Sequence, residues 1–466
     1  MNRMLKNIKR GSVLLLALFL VVIGYFSYAV YFYGTKWFSS PNNPRLKAEE
    51  NNIIMGTVFD RNGEKMAWST AVGQRTYSEN AAVRLGSAHL LGDKEGLTTG
   101  GAENTFTRYL LGFDINTVER IIETFKNQER RGEDVTLTVD AALQAAGYNA
   151  FGGKAGAAVV LNYKTGEVLA SISSPTFDPN TLTKDQAGSL AEGTLVNRAT
   201  QGKYPPGSTF KLITATAMLE HPELVPNATY DCSGQTTING QVIRCYNSER
   251  HGHLDLASAI SKSCNGAFAT WAQGLGMDVM MQTAEKYGFN DEFLFKDCTV
   301  YDSQFAAMQT PNDLAWAAVG QYKTLMSPMH ACMIAASIAN DGVMMEPRLL
   351  DHVTSTSGRT HAKGSERVYK TVTDAGTANQ ITEMMRLGVE SGTARGAGIA
   401  GVKVCGKTGT AEVGEGITPH GWFVGFIDDA SAPYAVAVVV DNGGTGNSAA
   451  APIAKALLQK CLEVKP

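Results

Sequence analysis

The chain has 466 residues, of which 44% are hydrophobic and 18% charged, with a net charge of −3. This length suits about three domains. The composition favours buried cores over disorder, and the charge excludes nucleic-acid binding by the chain as a whole.

From Gly11 to Thr35 no residue is charged. A helix of about 20 apolar residues spans a bilayer core, so this run is long enough to cross. Arg3, Lys6, Lys9 and Arg10 precede it, and Tyr25, Tyr28, Tyr31, Phe32, Tyr33 and Trp37 gather at its far end. Basic residues stay cytoplasmic and aromatic residues collect at interfaces. The expected layout is therefore a cytoplasmic tail at 1–10, an anchor at 11–35, and everything beyond Lys36 outside. Ser27-Tyr28-Ala29 offers a signal-peptidase alternative, although the apolar run exceeds the roughly 7–15 residues of a signal core. No second segment reads as a span.

Residues 36–52, with Ser-Ser-Pro-Asn-Asn-Pro, read as a linker. Ile53 to Ala67 reads as a hairpin turning at Asp60-Arg61-Asn62-Gly63. A short helix is expected near Ile115–Arg130, and the stretch 36–133 carries no evident chemistry. A larger domain, 134–466, starts at Thr136-Leu-Thr-Val-Asp140 before an Ala-rich helix. Gly156–Leu161 and Val168–Ile172 around Lys164-Thr-Gly166 form a β-hairpin. Helical periodicity marks 208–220, 255–274, 278–288, 311–321 and 328–341. Strands return at Val402–Cys405, Gly421–Ile427 and Tyr434–Val440, before a last helix near Ala449–Leu462. Strands at both ends of the domain with helices between them predict an α+β fold, one antiparallel sheet covered by helices.

Seven cysteines occur, at 232, 245, 264, 298, 332, 405 and 461, without a C-x-x-C pair. An exported chain permits disulfides, and Cys232 and Cys245 flank a turn-rich stretch that a bond between them could close. Cys264, Cys332 and Cys405 sit in apolar settings typical of buried thiols. His251 and His253 form H-x-H, but no third ligand lies at useful spacing in the sequence, so no metal site is expected.

Three short motifs carry chemistry. In Ser208-Thr-Phe-Lys211, the preceding Tyr204-Pro-Pro-Gly207 ends an extended segment, so Ser208 falls at a helix start with Lys211 one turn on. A serine hydroxyl is a weak nucleophile without a base, and a lysine becomes one when burial or a nearby cation lowers its pKa. In Ser263-Cys264-Asn265, a second hydroxyl can relay a proton and a carboxamide can both donate and accept. In Lys407-Thr408-Gly409-Thr410, on an apparent edge strand, a cation and two hydroxyls can hold a carboxylate. Gly409 there leaves room for an extended substrate. Each motif alone is common: an N-cap serine with a surface lysine, or a polar break between helices, accounts for it as well.

Together and in this order they match the S-x-x-K, S-D-N and K-T-G set of penicillin-binding proteins and class A β-lactamases. Asn197-Arg198-Ala199, His251-Gly252, Thr310-Pro311, Ser337–Gly342, Glu390-Ser-Gly-Thr393 and Gly406–Glu412 extend the likeness. The chain resembles class B penicillin-binding proteins over most of 134–466. Gly56–Gly63 looks like the opening of that family's N-terminal pedestal, and the short pedestal resembles the compact penicillin-binding protein A subgroup. The resemblance implies a serine β-lactamase-like five-stranded sheet and a D,D-transpeptidase acting without a cofactor on peptidoglycan stem pentapeptides and lipid-linked precursor. It implies acylation by β-lactam antibiotics and a SEDS-type glycan polymerase as partner at the membrane. By the same resemblance Ser208 is the nucleophile, Lys211 the base and Ser263 the proton relay. Asn265 would fix the substrate amide, and Lys407, Thr408 and Thr410 the terminal carboxylate. The N–H groups of Ser208 and Thr410 would form the oxyanion hole. Departures are Cys264 for Asp, Cys405 where Ala is frequent, and Tyr322 where Gly is frequent. A carboxypeptidase or β-lactamase on the same scaffold, or a non-catalytic β-lactam sensor or scaffold, are the rival readings.

Overall fold

The computed structural model describes residues 2–38, 43–115, 125 and 129–465. The helix expected near Ile115–Arg130 falls largely outside them. A single helix runs from Asn2 to Phe38. Its Met4–Tyr31 stretch of 28 residues contains an 18-residue window with mean hydropathy 2.5, long and apolar enough to cross a membrane. The expected linker is partly helical, at Pro44–Glu50. Leu46 of this helix is buried with Ile53 and Leu111, which gives it a reason to fold.

Two sheets organise the rest. The first has six strands: β1 (Val58–Phe59), β2 (Lys65–Ala71), β3 (Gln74–Tyr77), β4 (Asp134–Leu137), β12 (Leu350–Thr354) and β13 (Thr360–Lys363). They lie in the order β13-β12-β4-β1-β2-β3. The Asp60–Gly63 turn joins β1 to β2 as expected, with Asp60 Oδ1 accepting from the Asn62 and Glu64 N–H groups at 2.8 Å each. The β1–β4 pair is parallel, and β12 pairs antiparallel with β4. The pedestal sheet thus takes half its strands from beyond residue 133.

The second sheet has five strands: β5 (Gly156–Asn162), β6 (Val168–Ser174), β15 (Val404–Ala411), β16 (His420–Ile427) and β17 (Tyr434–Val440). Their order is β15-β16-β17-β5-β6, and every pairing is antiparallel. Side chains alternate across a strand, and β17 shows both destinations. Ala435, Ala437 and Val439 enter a core shared with the Pro328–Ala339 helix. Val436, Val438 and Val440 enter another shared with the Ala141–Phe151 and Ala451–Val464 helices. Because both faces are covered, Tyr434–Val440 is apolar throughout instead of alternating with polar residues.

Between the sheet halves the chain departs from the helical expectation. Four short strands, β7 (Tyr230–Cys232), β8 (Gln235–Ile238), β9 (Gln241–Arg244) and β10 (Gly252–Leu254), form two small ribbons, β7 with β10 and β8 with β9. The expected 255–274 helix is interrupted at Lys262–Cys264, between helices Leu256–Ser261 and Asn265–Lys286. Cys264 caps the second helix, its Sγ accepting from the Ala267 N–H at 3.4 Å. Ser263 adopts φ +57°. The break expected before 278 survives as a kink at Gly276. Strands β11 (Val343–Met345) and β14 (Val368–Thr371) pair beyond the Pro328–Ala339 helix.

Candidate active site

Ser208 lies in a single 3₁₀ turn, Gly207–Phe210, that runs directly into the Lys211–Glu220 helix. Gly207 has φ +53°, and a Cβ there would sit 2.9 Å from the Thr410 carbonyl oxygen. Only glycine meets both demands without strain, so the nucleophile turn and the edge strand β15 touch backbone to backbone. Gly409 serves the same contact. Its Cβ would meet the Pro206 oxygen at 2.9 Å and Thr209 Cγ2 at 3.1 Å. The expected role of Gly409, making room for substrate, is therefore corrected: the space goes to the serine turn. Trp422 seals this corner, its Nε1 donating to the Pro205 carbonyl at 3.0 Å.

Lys211 is fully buried. Its Nζ donates to Asn265 Oδ1 at 2.6 Å, to the Ser263 carbonyl at 2.7 Å, and more weakly to Ser263 Oγ at 3.4 Å. No hydrogen bond joins it to Ser208 among the described residues. Burial, which disfavours the ammonium form, pushes its pKa down to about 8. Lys407 approaches from β15, its Nζ donating to Ser263 Oγ at 2.8 Å and to the Thr408 carbonyl at 2.9 Å. Burial, and then the neighbouring Lys211 charge, hold Lys407 well below the usual lysine range. Ser263 Oγ is thus gripped between two buried lysines, as a proton relay needs to be. The left-handed backbone of Ser263, favoured by no β-branched residue, presents both its carbonyl and its hydroxyl to Lys211.

Asn265 is satisfied within the protein: Nδ2 donates to the Arg244 carbonyl at 2.8 Å while Oδ1 accepts from Lys211. Thr408 Oγ1 donates to Thr393 Oγ1 at 2.9 Å. Thr393 belongs to the Glu390–Thr393 string, and its N–H reaches the Ser261 carbonyl at 3.1 Å. That turn braces the helix end before Ser263 against β15. The sequence reading gave Thr393 no role, and Arg244 went unnoticed because no motif contains it. Ser208, Arg244, Ser263, Asn265, Thr408 and Thr410 line one open cleft of about 850 Å³. Thr408 and Thr410, two apart on β15, share its face.

The two histidines separate. His253 Nδ1 pairs with Asp231 Oδ1 at 2.8 Å on the surface. His251 turns inward, its Nδ1 3.4 Å from Cys232 Sγ. Cys245 Sγ lies 3.7 Å from both Cys232 Sγ and Cys264 Sγ. All seven cysteines are buried thiols. The expectation that His251 lacks further ligands is corrected: folding supplies three thiols that the sequence keeps apart.

Residues 156–459 match the model of the penicillin binding protein transpeptidase domain. The peptidoglycan D,D-transpeptidase PbpA of Mycobacterium tuberculosis (strain H37Rv) is 28% identical over 99% of both chains. The ceftriaxone acyl-enzyme structure of penicillin-binding protein A from M. tuberculosis superposes with a TM-score of 0.81 at 27% identity, covering 89% of this chain and 99% of that one. The D,D-transpeptidase domain of a peptidoglycan glycosyltransferase from Eggerthella lenta follows at TM-score 0.78 and 28% identity, covering 89% and 99%.

Proposed function

The chain belongs to the penicillin-binding protein transpeptidase family, within the class B penicillin-binding protein A subgroup, and we propose that Ser208 is its acylated nucleophile. The protein is a peptidoglycan D,D-transpeptidase and a single-pass membrane protein. It cross-links stem peptides through a serine acyl-enzyme, releases D-Ala, and is acylated by β-lactams. The observation that carries the residue assignment is the Ser263 hydroxyl held between Lys211 and Lys407 at the floor of the cleft that Ser208 lines.

On this reading Ser208 Oγ attacks the carbonyl carbon of the penultimate D-Ala, and its proton passes to neutral Lys211. With a pKa of about 8, roughly a tenth of Lys211 is neutral at pH 7. The N–H groups of Ser208 and Thr410 stabilise the tetrahedral oxyanion. The C–N bond then breaks, and the proton moves through Ser263 Oγ to the departing D-Ala amine. Thr408 and Thr410, with the Lys407 charge behind them, hold the terminal carboxylate. Asn265 exchanges its Arg244 carbonyl for the substrate amide. An acceptor amine from a neighbouring stem displaces Ser208 from the ester and completes the cross-link.

The layout across the membrane follows the basic N-terminal flank: residues 1–10 cytoplasmic, 11–35 spanning, and the catalytic domain outside among lipid-linked precursors. The pedestal, 36–133, is a docking surface for a SEDS-type glycan polymerase. Labelled penicillin followed by mass mapping tests the central assignment. A stable adduct on Ser208, absent in Ser208→Ala, is expected; an adduct on another residue, or undiminished labelling of the variant, overturns it. Product analysis with an added acceptor amine separates cross-linking from hydrolysis.

A further inference from the structure

Four side chains spread over residues 232–264 converge beside the cleft: Cys232 on β7, Cys245 after β9, His251 before β10, and Cys264 at the cap of the Asn265–Lys286 helix. One ligand atom from each lies within 4.8 Å of every other. We propose that the Cys232, Cys245 and Cys264 thiolates and His251 Nδ1 form a tetrahedral site for a zinc(II) ion that pins the β7–β10 segment to the Ser263-Cys264-Asn265 motif.

The distances fit that chemistry. Zinc–sulfur bonds of about 2.3 Å at tetrahedral angles hold sulfur atoms about 3.8 Å apart, and a zinc–nitrogen bond of about 2.0–2.1 Å brings nitrogen to roughly 3.5 Å from sulfur. The observed separations are 3.7 Å for Cys245 to each neighbouring sulfur and 3.4 Å for His251 Nδ1 to Cys232 Sγ. A covalent S–S bond measures about 2.05 Å, and a disulfide would use two of the three thiols and leave the third and the imidazole without purpose. A Cys₃His set employs all four, and it is a common structural zinc combination.

The surroundings agree. His251 Nε2 points away from the sulfurs to the Glu249 carboxylate at 3.8 Å, the sense of the carboxylate–histidine–zinc arrangement that orients a ligating ring. Cys245 and His251 also line the cleft, which gives the ion a way in. Apart from the cluster, few side chains of the segment are buried, chiefly Ile243 and Leu254. Its ribbons are three or four residues long, and isolated two-stranded ribbons are marginal in water. Ligation releases three thiol protons to solvent and converts binding free energy into folding free energy. Since Cys264 stands between Ser263 and Asn265, the ion fixes the left-handed break on which both depend, and Arg244, which holds Asn265, directly precedes Cys245. Cys264 is therefore a positioning residue.

The test uses full-length protein in detergent, produced with added zinc and purified with reductant and without chelator. Elemental analysis should give about one zinc per chain, lost from Cys232→Ser and His251→Ala and kept by His253→Ala and by the ligand-replacing variant His251→Cys. Cobalt(II) added to chelated wild-type protein should produce thiolate charge-transfer and tetrahedral ligand-field bands. Alkylation after unfolding with chelator should find all seven cysteines free. Absence of metal with free thiols, a disulfide in the protein as isolated, or metal retained by His251→Ala and lost from His253→Ala each overturns the site. Ser208→Ala should lose penicillin labelling and keep its zinc, which separates this inference from the assignment of the nucleophile.

Discussion

The two walls of the cleft are built on different principles. The β15 wall is the edge of a five-stranded sheet whose neighbouring strands β16 and β17 are buried almost throughout. The facing wall, residues 230–254, consists of two short ribbons, one resting on a small cluster of Ile243, Ala269 and Ala315 and the other reaching the main core through Cys232 and Leu254. The first is held by extensive apolar packing, which supplies about 25 cal/mol per Å² removed from water. The second is held by a few strong points, the cysteine–histidine cluster above all. Lys407 comes from the packed wall, while Ser263 and Asn265 hang from the pinned one. Catalytic geometry thus depends on two kinds of stability, and they can be weakened separately.

Severing the link between the walls has the largest expected effect. Lys211→Ala removes the proposed base and frees Ser263 and Asn265 from their shared donor. Penicillin acylation should fall by about 10²–10⁴, the usual worth of a positioned general base, as followed by stopped-flow or gel fluorescence. Loss of less than tenfold would reassign the base. Next comes pH. In the proposed mechanism Lys211 acts as neutral amine, and burial lowers its pKa to about 8. The acylation rate should therefore fall about tenfold per pH unit below that value and level off above it. A profile flat from pH 6 to 9 would contradict this.

Gly207→Ala probes the packed wall. It places a Cβ 2.9 Å from the Thr410 oxygen at φ +53°, a backbone state that costs about 1–3 kcal/mol for other residues. Chemical denaturation should show a loss of that size, with slower acylation and unchanged metal content. Chelating the ion probes the other wall. Amide exchange of residues 230–254 should accelerate while β15–β17 stay protected, and acylation should drop about tenfold, as when a metal's supporting shell is lost. Uniform loss of protection would mean the walls are one cooperative unit. Ile243→Val should do least, about 0.5–1.5 kcal/mol, with acylation unchanged.

The sequence showed the packed wall far better than the pinned one, for a physical reason. A strand buried on both faces is a continuous apolar run, and Tyr434–Val440 announces itself. The S-x-x-K and K-T-G strings are local, so Ser208, Lys211 and Lys407 could be named without a fold. Strands of three or four residues between turns, such as Tyr230–Cys232 and Gln241–Arg244, lack the length to show a period. The helical periodicity stops at 220 and resumes at 255, and the stretch between Cys232 and Cys245 read only as turn-rich. The cluster was hidden for the same reason: its ligands are spread from Cys232 to Cys264, and only the ribbon pairing brings them together. Ser263 could be named as a candidate relay, but the grip of two lysines on it was not legible, because it depends on β15 meeting the Lys211–Glu220 helix. The pedestal sheet was legible only at its first turn, since β1 has two residues and β4 finds its partner in β12, about 210 residues further along the chain.

That late pairing also sets a timetable. Chains emerge from the ribosome N-terminus first, and β4 must wait for β12 with one edge open. About 210 residues separate Leu137 from its partner Leu350, which at about 5–20 residues per second is roughly 10–40 s of synthesis. The most exposed moment in the life of this protein is its manufacture, when a bare strand edge invites pairing with a neighbouring nascent chain.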